Sequence, residues 1–289
     1  MNIDTCSLIV EVNCSVWTAR KLDKATTDEV VTAKSAKAKD AARVNKSLMA
    51  GLPHLEQIQK HVTAFRTFVY TNTLPWSDSG LRLLPTKNYF AFTKRVADFE
   101  EGFVELVDGF CDVYPQLITA QAFQLGDMFK RDDYPSVSEM RNKFAFRVNY
   151  MPVPSSGDFR VDVGNEAQAE LKATYERLMQ ERVDGAITDL RTRLVEHLGR
   201  MSDRLTSDVV DGEVKRRRFH DTLVSGAYEL CDMLRVLNVT NDSKLSNACE
   251  RLEAALSGRS AEDLRDSDTE REQVKSQVDD ILKMFKIGG

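Results

Sequence analysis

Two stretches of the chain alternate apolar and polar residues, a pattern typical of β-strands with one buried face. In the first stretch, Leu8–Val16, every second residue is apolar or cysteine. The second stretch alternates over Lys143–Met151 and again over Phe159–Val163, around the turn-rich segment Pro152–Asp158. Because a lone hairpin is only marginally stable in water, we predict one small antiparallel sheet made from these three strands.

Elsewhere the apolar residues recur every three or four positions, which predicts helices with one buried face. One such stripe follows Pro53 and runs from Leu55 to Val69, and a second runs from Tyr89 to Tyr114. Pro115 should kink or end that second helix, although helical character continues towards Tyr134. Between the two stripes, the segment 76–86 contains Ser, Asp, Gly and Pro and is predicted to be a loop. The segment 21–46 has few apolar anchors and is predicted to be a weak helix.

The longest periodic segment runs from Leu171 to Leu205. A helix of this kind, some 40 residues long at about 1.5 Å per residue, would span roughly 60 Å and must pack beside another long helix or a second subunit. The segment 212–238 supplies such a partner, and two further helices are predicted at Ser243–Leu256 and Ser260–Phe285. The last of these begins with Ser260 and has an acid three residues later, as in a capping box.

These patterns predict a mainly α protein with a small antiparallel β-sheet, of the α+β class, whose long amphipathic helices form hairpins or a coiled-coil-like bundle. The predicted organisation is a core of strand, helices and β-hairpin in residues 1–165, followed by a long-helix region in residues 166–289. The alternative is that both form one continuous unit.

The composition of the chain indicates where in the cell the protein is expected. Hydrophobic residues make up 42% of the 289 residues, which is enough for a packed core. No stretch approaches the roughly 20 apolar residues of a membrane span, and no secretory leader is recognisable at the N-terminus. The five cysteines contain no C-x-x-C pair and fit a reducing compartment. We therefore expect a cytoplasmic protein without a membrane partner.

The motifs of common enzymes and nucleotide-binding proteins are not found in the sequence. The chain contains neither G-x-S-x-G nor the glycine-rich phosphate-binding patterns. His54 and His61 lie seven residues apart on one predicted helix, without the closer spacing of a typical metal site. From the sequence we expect no enzyme activity, no cofactor, no metal site and no catalytic residues.

One charge run could contact a partner, namely Lys215, Arg216, Arg217 and Arg218. Two interpretations are open. The run could bind phosphate or an acidic partner, or it could be the solvated start of a helix, moderated by nearby acids. A net charge of -5 argues against a free duplex-DNA binder, because phosphate neutralisation needs a basic surface.

The layout resembles a family of unknown function found in phages and bacterial mobile elements. The resemblance rests on the strand and its continuation over Leu8–Lys21, above all Ser15–Arg20, the helix near Phe65–Tyr70, Trp76, and a β-hairpin before a long charged helix. It covers about residues 6–205. Members are often encoded near a MoxR-like ATPase and a von Willebrand A-type protein. The resemblance implies an accessory role beside an ATPase, in phage infection, and offers no catalytic residues to carry over.

The first functional hypothesis is therefore a non-enzymatic helical scaffold or adaptor that binds other proteins, either a second copy of itself or a MoxR-like ATPase. It would act in the cytoplasm, which is the host cytoplasm if the protein is of phage origin. The second hypothesis is a nucleic-acid-associated protein that uses the segments 21–46 and 215–218. The third is an enzyme with an unrecognised site.

Overall fold

The predicted fold class is confirmed. The computed structural model describes residues 3–38, 40–154, 165–210 and 213–286. It is 67% helical and contains a small four-stranded antiparallel sheet. The helices are α1 Ile3–Cys6, α2 Lys24–Ala33, α3 Pro53–Asn72, α4 Tyr89–Leu125, α5 Val137–Arg141, α6 Asn165–Leu205, α7 Thr222–Leu237, α8 Ser243–Leu256, α9 Asp263–Asp266 and α10 Asp268–Lys286. The strands are β1 Ser7–Ser15, β2 Arg20–Leu22, β3 Asn45–Ser47, β4 Leu74–Pro75, β5 Arg82–Pro85, β6 Ala145–Pro152, β7 Ser207–Val210 and β8 Glu213–Arg216.

Contacts between residues divide the chain into two units, each assembled from separated segments. The long-helix unit contains Met1–Glu11, Tyr70–Phe90 and Tyr150–Gly289, and the α3–α4 unit contains Val12–Val69 and Ala91–Asn149. A single cut between residues 165 and 166 does not reproduce this division, because β1, α3, α4 and β6 each run from one unit into the other.

The larger sheet has the strand order β4–β5–β1–β6. Two of its predicted strands, at Leu8–Val16 and Lys143–Met151, are confirmed as β1 and β6, whereas Phe159–Val163 lies outside the described residues. The prediction of a loop over 76–86 is wrong at its end, because Arg82–Pro85 forms β5 and pairs with β1, with Leu8 opposite Leu84. Leu83 and Leu84 are both fully buried. A strand buried on both faces shows no alternation, so its pattern resembled that of a loop.

In the α3–α4 unit, the two predicted apolar stripes form the core. The α3 stripe is buried from Leu55 to Val69. The α4 helix also buries its stripe, but it continues through Pro115 to Leu125, so the prediction that Pro115 could end the helix is wrong. Proline removes one backbone hydrogen bond. Tyr114 and Ile118 are buried on either side of it, and this packing outweighs the loss.

The segment 21–46 is only partly helical, which corrects the prediction of one weak helix. A ten-residue helix, α2, lies between two short strands, β2 and β3, which pair with Lys21 opposite Lys46. The only buried residue of α2 is Thr27. The scarcity of apolar anchors therefore limits the length of the helix, as its composition indicated. The flanking residues instead form two short paired strands.

In the long-helix unit, α6 packs against α7 and α10. The predicted seam of α6 is confirmed, since Leu190, Leu194, Leu198 and Leu205 are all buried. The predicted helix Ser243–Leu256 is confirmed as α8. Among the described residues, none of the helices combines the length and apolar character needed to cross a bilayer.

The predicted helix Ser260–Phe285 is divided into α9 and α10. Its predicted start is confirmed by reciprocal hydrogen bonds. The Asp263 carboxylate accepts from the Ser260 backbone N–H at 2.7 Å, and the Ser260 hydroxyl accepts from the Asp263 N–H at 3.1 Å. The break follows from a second cap at Ser267, whose hydroxyl accepts from the Glu270 N–H at 3.3 Å. A serine that bonds to nearby backbone favours a new helix start over continuation of the old one.

The Leu194 seam gives a testable prediction. Replacing Leu194 by Asp places a charge at a position with no solvent exposure and should lower the free energy of unfolding by roughly 3–5 kcal/mol. Urea denaturation followed by circular dichroism measures the change. Thr192→Asp is the matched control, because Thr192 is exposed on the same helix and should change stability by less than about 0.5 kcal/mol. Equal stability of the two variants would contradict the packed seam.

Candidate functional site

A basic groove in the long-helix unit is the candidate site. It has a volume of about 610 Å³ and lies between the C-terminal part of α6 and the segment that enters α7. This size is within the range of sites that hold a small ligand or a few side chains of a partner. The lining residues are His197, Arg200, Met201, Arg204, Arg218, Phe219, His220, Thr222 and Leu223.

Helical periodicity places the α6 residues of the groove together. His197, Arg200 and Arg204 recur at spacings of three and four, so they share one face of the helix. Met201, between them, is completely buried and anchors this part of α6 to the core. The helix therefore presents two guanidinium groups and an imidazole at its C-terminal end.

Arg271 of α10 holds the two sides of the groove together. The residue is 2% exposed. Its Nε donates to the Leu205 carbonyl at 2.9 Å, and its Nη2 donates to the Arg204 and Arg217 carbonyls at 2.8 Å each. The first two carbonyls belong to the last turn of α6, where intrahelical donors are lacking and a positive charge is favourable. The third lies just before the Arg218 side of the groove.

Phe219 fixes that second side. Its ring lies beneath two guanidinium groups, 5.4 Å from Arg265 and 5.2 Å from Arg271. Arg265 also donates to the Phe219 carbonyl at 3.2 Å and forms an ion pair with Asp221. Stacking and hydrogen bonding together position the short segment that carries Arg218 and His220.

The groove carries more positive charge than its surroundings neutralise. None of its nine lining residues is acidic. Within the described part of the chain, no hydrogen bond or ion pair engages the side chains of Arg204 and Arg218. Arg200 lies 3.8 Å from Glu196, but both side chains are largely exposed, so this pair contributes little. Such a cluster of cations attracts an anionic group.

His197 lines the wall of the groove. Its Nε2 atom is buried and has no hydrogen-bond partner among the described residues. The ring faces α7, where a Cβ atom on Gly226 would lie 3.8 Å from its Cε1. Burial, followed by the charge of Arg200, lowers the pKa of His197 below its ordinary value of 6.5. The imidazole is therefore neutral at physiological pH, and the arginines supply the positive charge.

The predicted charge run is only partly at this site. Lys215 and Arg216 lie on β8, and their side chains lie outside the described part of the structure. Arg217 forms an ion pair with Asp203, and Arg218 lines the groove. The interpretation of the run as a helix start is wrong, because α7 begins at Thr222.

The sequence contained a signal for this hairpin that the periodicity did not reveal. Asp211 and Gly212 stand between the β-branched segments Val209–Val210 and Val214, and Asp-Gly between such segments indicates a tight β-turn. The described strands pair antiparallel, with Val209 opposite Val214. Arg200 and Arg204 could have been found from their shared helix face, but their approach to Arg218 depends on Arg271, which is distant in sequence.

The histidines of α3 take no part in this groove. His61 lies in the α3–α4 unit, where its Nε2 is 2.8 Å from the Phe99 carbonyl oxygen and its ring packs edge-on against the Phe99 ring. These contacts give His61 a packing role between α3 and α4. Among the residues that the structure describes, no group of three or more His, Cys, Asp or Glu side chains is arranged to hold a metal ion.

The role of Arg271 is testable. Arg271→Met keeps much of the side-chain volume but removes the donors to three carbonyl groups. It should therefore lower the free energy of unfolding by about 2–5 kcal/mol, because buried acceptors lose a charged donor. Chemical denaturation measures the effect. Arg265→Met is the control, since Arg265 stacks on the same ring from a more exposed position and should cost about 1 kcal/mol or less. A loss for Arg271→Met as small as for the control would contradict the assigned role.

The lowered pKa of His197 predicts a pH effect on stability. The unfolded chain binds a proton at this histidine near pH 6.5, whereas the folded protein binds it only at lower pH. The stability contribution is therefore complete above pH 6.5 and is lost as pH falls from there towards the folded-state pKa. In His197→Gln, this part of the pH dependence should be missing. Urea denaturation of both proteins over the mildly acidic range measures it, and parallel pH profiles would contradict the prediction.

Comparison of the chain with protein-family models, with curated proteins and with solved structures found no match. The resemblance to a phage and mobile-element family therefore stays a prediction from the sequence. The function has to be argued from the geometry and charge of the groove.

Proposed function

We propose that this protein is a non-enzymatic helical adaptor that binds an acidic surface of another protein through the basic groove. The observation that carries the proposal is the pair of arginines, Arg204 and Arg218, which face one groove without an ion pair among the described residues. Placing like charges together costs free energy unless an anion neutralises them. Carboxylates are suitable anions, because the planar guanidinium donates two parallel hydrogen bonds to them.

The shape of the site supports a protein partner over a nucleic acid. A groove of about 610 Å³ can take one or two acidic side chains, whereas a nucleic-acid backbone requires positive charge along an extended track. The chain as a whole carries a net charge of -5, which would repel a long polyanion away from the groove. A small basic site on an acidic protein thus favours a local acidic patch.

The long helices suit such a protein as a scaffold. The helix α6 is 41 residues long, and its packed C-terminal half holds the groove in a fixed geometry. The resemblance found in the sequence suggests a MoxR-like ATPase as one partner to test first, and the long helices suggest a second copy of this chain as the other. We place the activity in the cytoplasm, in the host cell if the protein is of phage origin.

A binding experiment tests the proposal. A fluorescein-labelled polyglutamate peptide should bind with an anisotropy change that weakens as salt is added, because surface charges are screened. Arg204→Gln with Arg218→Gln should reduce its affinity by roughly tenfold or more. The control is Lys60→Gln with Lys172→Gln, which removes the same charge from exposed positions outside the groove and should leave the affinity nearly unchanged.

The outcomes separate the alternatives. Equal loss of affinity in the two double variants would show that only net charge matters and would contradict a specific groove. A labelled single-stranded oligonucleotide serves as the competing probe. If it binds more tightly than polyglutamate and depends on the same two arginines, the nucleic-acid function replaces the proposed one.

A further inference from the structure

A second pocket lies in the long-helix unit, at the side of α6 nearer its N-terminus. It has a volume of about 530 Å³ and is formed by the turn that joins β4 to β5 and by one face of α6. Its lining shares no residue with the basic groove. The lining residues are Pro75, Trp76, Ser77, Asp78, Ser79, Leu178, Glu181, Arg182 and Gly185.

Arg182 is the unusual group in this pocket. The residue is half-buried, and its guanidinium carbon lies 5.5 Å from the centre of the Trp76 ring. Within the described residues, its side chain has no hydrogen bond and no ion pair. Other arginines of α6 in similar positions are paired, such as Arg191 with Asp242 at 2.7 Å and Arg193 with Asp189 at 2.8 Å. A partly desolvated guanidinium that is not paired with an anion is therefore available to bind one.

Two apolar side chains line the pocket beside the guanidinium. Trp76 is almost completely buried, and Leu178 is 41% exposed beside it. Apart from its chain neighbours and the backbone of its own helix, no described atom lies within 4 Å of the place that a Cβ on Gly185 would occupy, so the pocket is open at this position of α6. The indole Nε1 of Trp76 is also a buried donor without an acceptor among the described residues.

The charges of the lining define the ligand class. One unpaired guanidinium calls for an anion, but Asp78 and Glu181 also line the pocket and repel a doubly charged group such as phosphate. The Glu181 carboxylate lies 3.5 Å from the Arg177 guanidinium, whereas Arg182 has no ion pair among the described residues. We propose that this pocket binds a small monocarboxylate with an apolar tail, the carboxylate paired with Arg182 and the tail against Trp76 and Leu178.

The two tryptophans make this proposal directly measurable. Trp76 lines the pocket, and Trp17 lies in the core of the other unit, so their indole N–H resonances in a ¹⁵N-correlated spectrum provide one reporter and one internal control. Trp76→Phe assigns the pair, because it removes one resonance. The probe is hexanoate, which has one carboxylate and an apolar tail. Hexanamide, of nearly the same shape and without charge, and inorganic phosphate are the comparison ligands.

We expect hexanoate to shift the Trp76 resonance in a saturable way and to leave Trp17 unchanged, with little effect from hexanamide or phosphate. Arg182→Gln should weaken hexanoate binding by roughly tenfold or more, since a charge-assisted pair is lost. Lys172→Gln, which removes a charge from the same helix outside the pocket, should not. The comparison of hexanoate with hexanamide uses the unmodified protein, so it tests the proposal even if Arg182→Gln fails to fold.

The proposal is overturned if hexanoate leaves the Trp76 resonance unshifted, or if hexanamide shifts it equally. Equal or tighter binding of phosphate would overturn the assigned ligand class. Unchanged hexanoate affinity in a folded Arg182→Gln protein would overturn the role of the guanidinium. Because the polyglutamate experiment concerns different residues, none of these results depends on the basic groove.

Discussion

The end of the longest helix depends on one buried guanidinium. Arg271 donates to two carbonyls in the last turn of α6 and to the carbonyl of Arg217. Without such a donor, the C-terminal carbonyls of a packed helix would be buried without hydrogen bonds, which is costly. The same group stacks on Phe219. One side chain thereby joins the C-terminal helix, the end of α6 and the approach to α7, and it fixes the backbone positions from which Arg204 and Arg218 reach the groove.

A related arrangement ends α3. Arg193 of α6 donates to the carbonyls of Tyr70, Thr71 and Thr73 at 2.9 Å each, and Arg82 of β5 also donates to the Thr73 carbonyl at 2.9 Å. Burial and the neighbouring charge of Arg193 lower the pKa of Arg82. Two cations can share these carbonyls because Asp189 pairs with Arg193 and because helix C-termini are negative. Several arginines of the long-helix unit thus donate to backbone carbonyls, whereas Arg182, Arg204 and Arg218, which line pockets, have no hydrogen bond or ion pair among the described residues.

The candidate site was predictable in part. The run Lys215–Arg218 led to one residue that lines the groove, Arg218. Sequence reasoning placed all four residues at a helix start, because the helical period of the neighbouring segments was extended across Val214. It overlooked the Asp211–Gly212 turn signal, which is a local feature. The approach of Arg200 and Arg204 to Arg218 is not local, because it depends on hydrogen bonds from a residue more than fifty positions further along the chain.

Periodicity in the sequence alone determined the helices α3, α6 and α8 and the strands β1 and β6, because in each of these elements one face is more buried than the other. It failed where burial is uniform or sparse, as at β5, or where a local breaker is outweighed, as at Pro115 in α4. Tertiary structure decided which segments pair, which arginines donate to backbone carbonyls and which have no ion pair among the described residues. Those outcomes depend on distances between residues far apart in the chain, and no pattern of neighbouring residues records such distances.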